Sequence, residues 1–106
     1  MSPHTQAADL FRRGMNLDDV ARQIARARST TVQYLCDFLR AESPSSVAPW
    51  VAADVYRQVS QAAARQGADK LKPIFETLEG KIPYDDIRIV LTHLTACGGD
   101  HQDKPA

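Results

Sequence analysis

Apolar residues recur at helical spacing along nearly the whole chain, and no stretch alternates apolar and polar positions in the manner of a strand. Six helical segments follow from that spacing, so the expected fold class is all-α. The first covers about 5–13, with Thr5 as its N-cap, Ala8, Leu10 and Phe11 as core candidates, and Gly14 as its stop. The second begins after Asn16, whose side chain can cap it, and turns Val20 and Ile24 inward with the small Ala21 beside them. Asp18 and Asp19 fall in its first turn, where the helix dipole favours negative charge. The third covers about 30–42 and carries Val32, Leu35, Cys36 and Leu39, an i, i+3, i+4, i+7 stripe.

Ser43-Pro44-Ser45-Ser46 breaks this run and is the one linker-like stretch inside the chain. A fourth helix over 49–66 tolerates Pro49 in its first turn and buries Trp50, Val51, Val55, Val59 and Ala62 or Ala63, with Gly67 at its end. Asp69 caps a fifth, in which Leu71, Ile74, Phe75 and Leu78 repeat the helical stripe, Pro73 sits in the first turn and Gly80 closes. The sixth follows Pro83, with Asp85 and Asp86 at its positive end and Ile87, Val90, Leu91 and Leu94 as its inner face. The expected organisation is a flexible N-terminus over 1–4, a single helical domain over 5–97 and a disordered polar tail over 98–106. Within the domain, a three-helix unit at 5–42 packs against a second three-helix group at 49–97. No fixed period repeats, which excludes a solenoid.

The segment 17–35 reads as a helix-turn-helix, two short helices locked at a steep angle. Such a pair most often sets its second helix in the major groove of DNA. Charge decides where contact could occur. The 106 residues, enough for one core that buries roughly 65% of the unfolded surface, carry thirteen basic and thirteen acidic side chains. A strongly basic, histone-like binder is thereby excluded, and any nucleic-acid contact must be local. Between Arg22 and Tyr34 stand three arginines, Arg22, Arg26 and Arg28, and no acid. Guanidinium forks match phosphate geometry, and the hydroxyls and amides of Ser29, Thr30 and Thr31 at the start of the third helix can donate to phosphate as well. Gln33, Tyr34 and Asp37 lie off the buried stripe and are the candidates for facing bases, Gln33 being suited to adenine, although Asp37 repels phosphate. The plainer alternative is that these arginines form a solvated face of a helical bundle.

Leu17-Asp18-Asp19-Val20-Ala21, Thr31-Val32-x-x-Leu35, Leu71-Lys72-Pro73-Ile74 and Tyr84-x-x-Ile87-Arg88-x-Val90-Leu91 occur in that order. Over about 5–94 the chain resembles the helix-turn-helix domain found near the C-terminus of RecQ-type DNA helicases and related proteins. The resemblance implies a small all-helical DNA-associated accessory domain, excised or free-standing, without catalytic residues. A helicase or a second copy of the chain is left open as a protein partner. Three positions depart from the family pattern: Ala25 stands where glycine is common in simpler units, Tyr34 where histidine is frequent, and Pro83 where serine often caps the last helix. No Gly-x-x-x-x-Gly-Lys-Ser/Thr loop holds a nucleotide phosphate.

Little in the chain supports catalysis. Asp18-Asp19 and Asp85-Asp86 resemble acid/base pairs, but their place in first helical turns makes them dipole partners. His93, Cys97 and His101 are spaced by four, yet Gly98-Gly99 interrupts them and no fourth ligand follows, so no metal and no cofactor is expected. Ser29 and Ser60 lack a histidine at a suggestive spacing. The longest run of large aliphatic residues is Ile89-Val90-Leu91, and no secretory signal opens the chain, so a cytoplasmic protein with two free thiols and no membrane contact is expected. The reading is a non-catalytic DNA-binding module making weak, phosphate-directed contacts. An alternative of another class is a protein-interaction or homodimerisation module without direct DNA contact, in which Trp50, Tyr56 and Tyr84 extend an apolar face of the last three helices.

Overall fold

The computed structural model describes residues 2–98, and all its regular elements among them are helical: α1 (Pro3–Arg12), α2 (Leu17–Ile24), α3 (Arg28–Glu42), α4 (Ala53–Gln66), α5 (Leu71–Thr77) and α6 (Tyr84–His93). A π-helical turn, Leu94–Gly98, prolongs α6. The expected tail lies, from residue 99 onward, outside the described residues.

Each boundary has a local cause. Ser2, rather than Thr5, caps α1: its hydroxyl accepts the Thr5 amide at 3.1 Å, and Pro3 opens the helix where no intrahelical donor is lost. Residues 3 and 4 are therefore helical instead of flexible, and His4 is held against Asp37 at 3.0 Å and edge-on to Tyr34. Asn16 caps α2 through the Asp19 amide at 2.9 Å. The α2 C-terminus closes as a Schellman motif, with Arg26 N–H bonded to the Ala21 carbonyl at 3.1 Å and Ala25 N–H to Arg22 at 3.2 Å. Ala25 takes the left-handed conformation this needs, with φ at 55°. Only Arg26 and Ala27 then separate it from α3, which starts at Arg28, two residues before the sequence spacing suggests.

α4 begins at Ala53, not Pro49. Residues 47–51 instead form a tight turn, in which the Val47 carbonyl accepts the Trp50 and Val51 amides at 2.9 and 3.0 Å and the Ser46 hydroxyl accepts the Ala48 amide. Tertiary packing outweighs local propensity here. The turn buries Val47 and Val51 and lets the Trp50 indole donate to the Met15 carbonyl at 2.9 Å while meeting Phe11 and Phe38 edge-on. Trp50 thus closes the seam between the two halves. Asp69 does not cap α5, whose first residue is Leu71 and whose N-cap position is taken by Lys70 without a side-chain bond.

The halves share one core. α3 buries Val32, Leu35, Cys36, Phe38 and Leu39 between α1 and α2 on one side and α6 on the other. α6 is the central helix of the second half, with Ile87, Ile89, Val90 and Leu91 buried against α3, α4 and α5. Val59, Ala62 and Ile74 close the far side, and Phe75 stacks on Tyr84 at 4.3 Å. No described helix is long and apolar enough to cross a membrane.

Candidate nucleic-acid interface

α3 leaves one face outward. Ser29, Gln33 and Arg40 are exposed along it, with Asp37 half-buried between them, a spacing of four, four and three that keeps all four on one side of the helix. The opposite stripe is fully committed to the core. At the N-terminus of α3, Ala27 provides no side-chain cap, so the amides of the first turn are not taken by a capping side chain.

Of the arginines predicted to meet phosphate, each already has a partner inside the chain. Arg22 pairs with Asp19 one turn earlier on α2. Arg26 folds back and donates to the Ala25 carbonyl at 3.1 Å, satisfying the end of α2. Arg28 is held by two carboxylates, Asp18 at 3.2 Å and Asp85 at 3.0 Å, and so ties α2 and α6 to the start of α3. The run of 22–34, free of acid in sequence, is bordered by three aspartates in space. All three arginines stay exposed, so these pairs are solvent-screened and open to exchange.

The remaining candidates divide. Ser29 is exposed and Thr30 half-exposed, both placed to face a ligand at the α3 start. Thr31 is not: its side chain is completely buried and its hydroxyl donates to the Ala27 carbonyl at 2.9 Å, which corrects its assignment as a contact residue. The sequence stripe fails there because a threonine methyl packs like valine while the hydroxyl bonds back into its own helix. Gln33 points outward and its amide donates to Asp37 at 3.3 Å. Tyr34 is half-buried, packed against the core and against His4.

Asp37 is the hub of this face. One carboxylate oxygen accepts from both Gln33 and Arg40, at 3.3 and 3.1 Å, and the other meets His4. Its negative charge is compensated within the chain, which removes much of the repulsion a bare carboxylate would impose on phosphate. Beside it, an open groove of about 530 Å³ runs between α3 and α6, lined by Gln33, Arg40, Asp69, Arg88 and Thr92 among others. Arg40 and Arg88 both lie near enough to the buried Cys36 thiol to oppose its rise, although desolvation prevails and its pKa is raised. Neither arginine is among the contact candidates that the sequence offers, although Arg88 falls within the family-like motif of the sixth helix. Arg40 is legible afterwards as the residue two turns beyond Gln33, whereas Arg88 reaches the face only through the packing of α6 on α3.

Metal-binding chemistry finds no centre among the described residues. No group of three or more histidine, cysteine or acidic side chains could hold a metal there. Both ring nitrogens of the buried His93 are engaged: Nε2 donates to the Pro44 carbonyl and Nδ1 accepts from the Tyr56 hydroxyl, each at 2.7 Å. His101 and the Cys97 side chain, the other members of that spacing, lie outside the description. Asp86 has its carboxyl pushed up, chiefly by desolvation, with Arg28 opposing and Asp85 adding to the rise.

No curated protein and no solved structure matches the chain. A family model does, over residues 3–91, from the start of α1 into α6 and including the turn between α2 and α3; the chain belongs to the helix-turn-helix domain family.

Proposed function

We propose that this chain is a small, non-catalytic DNA-binding module that approaches the duplex with the outer face of α3. The observation that carries the reading is the pair formed by α2 and α3, in which the second helix presents Ser29, Thr30 and Gln33 outward from an N-terminus without a side-chain cap. Arg22, Arg26 and Arg28 flank that end and supply phosphate contacts by exchanging their exposed internal partners. Net neutrality and the aspartates around the turn favour weak binding directed at phosphates over base reading, with a dissociation constant on the order of 1 to 100 μM at physiological salt.

The likeness of Leu71-Lys72-Pro73-Ile74 and of the α6 stripe to the domain of RecQ-type helicases supports a place as an accessory unit of such an enzyme or a relative of that unit. The docking alternative requires an apolar patch on α4 to α6. Among the described residues, Tyr84 is the single exposed large hydrophobic, and its ring is stacked on Phe75, which weighs against that alternative.

Fluorescence anisotropy with single-stranded, duplex and forked DNA at several salt concentrations tests the reading. The double variant Arg26→Ala/Arg28→Ala is expected to bind all sequences more weakly and to flatten the salt dependence by nearly two units of slope, about 0.9 counterion per duplex phosphate. Absence of wild-type binding at low salt refutes it.

A further inference from the structure

The groove between α3 and α6 brings basic and amide side chains of two helices together away from the α2–α3 turn. Two guanidinium groups from different helices, Arg40 and Arg88, line one concavity together with the Gln33 amide and the Thr92 side chain. Arg88, like Arg26, Arg57 and Arg65, has no carboxylate partner within ion-pair distance among the described residues, whereas Arg12, Arg13, Arg22, Arg28 and Arg40 are each paired. Arg40 shares Asp37 with Gln33 and His4, so its own charge is only partly compensated. The acid in the groove wall is Asp69, from the turn between α4 and α5. Because the groove opens along Gln33, it is continuous with the outer face of α3.

We propose that this groove is a second phosphate-binding site, one that receives the sugar-phosphate backbone of the strand flanking α3. Arg88 and Arg40 are its phosphate ligands and Gln33 bridges it to the helix face. The proposal rests on the DNA-binding reading above and adds to it a track that runs along α3 toward α6, away from the turn. A helix seated in a major groove has phosphate backbone on both of its sides. The arginines of the turn contact one end, and the α6 guanidinium supplies the charge that the middle of α3 lacks. Arginine suits the task because its fork presents paired donors to phosphate oxygens and keeps its charge at every accessible pH.

The test compares three proteins by anisotropy on one duplex across a salt series: wild type, Arg40→Gln/Arg88→Gln, and a control of equal charge change, Arg13→Gln/Arg57→Gln, whose side chains are exposed and line no part of the groove. Circular dichroism establishes that each is folded. The groove variant is expected to lose at least tenfold in affinity and up to about two units of salt slope, roughly 0.9 for each phosphate released, while the control stays within twofold to threefold of wild type. Equal loss in both variants reduces the effect to net charge and overturns the site. Wild-type affinity in the groove variant overturns the site alone and leaves the DNA-binding reading in place. Failure of the wild type to bind DNA overturns both.

Discussion

Arg28 holds Asp85 at 3.0 Å across 57 residues of sequence, so the first residue of α3 is tethered to the first turn of α6. The same guanidinium also meets Asp18 at 3.2 Å. Arg28, one of the proposed phosphate contacts, is therefore engaged in the free protein by the chain's own carboxylates.

Replacing Asp85 by asparagine removes this competitor and one negative charge beside the α3 start. Exposed ion pairs are worth about 0.2–1 kcal/mol, so DNA affinity at low salt is expected to rise about twofold to fivefold, with little change in melting temperature. An anisotropy titration of Asp85→Asn against wild type checks this. Unaltered or weaker binding would show that Arg28 takes no part in phosphate contact.

Local signals in the chain carry most of the fold. The stripe Val32, Leu35, Cys36 and Leu39 is buried as its spacing predicts, and Asn16 caps α2 as its chemistry predicts. Departures occur where tertiary contact competes with local preference. Trp50 and Val51 leave the helical register that Pro49 would begin because the indole has a carbonyl to reach on Met15. The candidate interface was less legible, for a related reason: charge along a sequence is not charge in space. Arg28 is separated from Asp85 by most of the chain, and Arg88 reaches the α3 face only once α6 has packed. Thr31 shows the converse, a polar residue whose hydroxyl is satisfied by its own helix.

The turn between α2 and α3 stores backbone strain that one substitution can release. Ala25 adopts φ at 55°, a conformation that costs a residue with a Cβ roughly 1–2 kcal/mol, part of which glycine's greater freedom in the unfolded chain offsets. Ala25→Gly is expected to stabilise the fold by about 1 kcal/mol, seen as a rise of about 4–8 °C in thermal unfolding. Gly14→Ala serves as the reverse case, since φ is 87° there and a Cβ would meet no atom within 4 Å. It should destabilise through the backbone alone. A lower melting temperature in Ala25→Gly would count against this account of the turn.

Acid should loosen the junction of α1 with the end of α3. Arg12 donates to Glu42 at 2.9 Å, and that hydrogen bond holds the Glu42 carboxyl below its ordinary range. A depressed carboxylate contributes stability that is complete above the unfolded value, near pH 4.3, and is lost as pH falls through the folded one. Glu42→Gln should therefore be slightly less stable than wild type at pH 7, and the gap should close below about pH 4. Denaturant melts across this range test the sign. A gap that persists undiminished in acid would assign it to packing.

Cys36 reports on the integrity of the joint between the halves. Its side chain is 1% exposed at the packing surface of α3 and α6, and desolvation raises the thiol pKa despite a hydrogen bond with Thr92 and the nearby arginines. Burial denies a reagent access, and the raised pKa withholds the thiolate that would react. In a Cys97→Ser background, alkylation of Cys36 at neutral pH should run at least a hundredfold slower in the native protein than in denaturant. Val32→Asp, which places an unpaired charge beside it in the same fully buried stripe, should remove that protection. The two measurements are linked, because reaction of a buried thiol requires opening of the α3 and α6 interface. Rapid alkylation of the folded wild type would mean that the halves separate readily in solution, and then the groove they enclose could not be a fixed site.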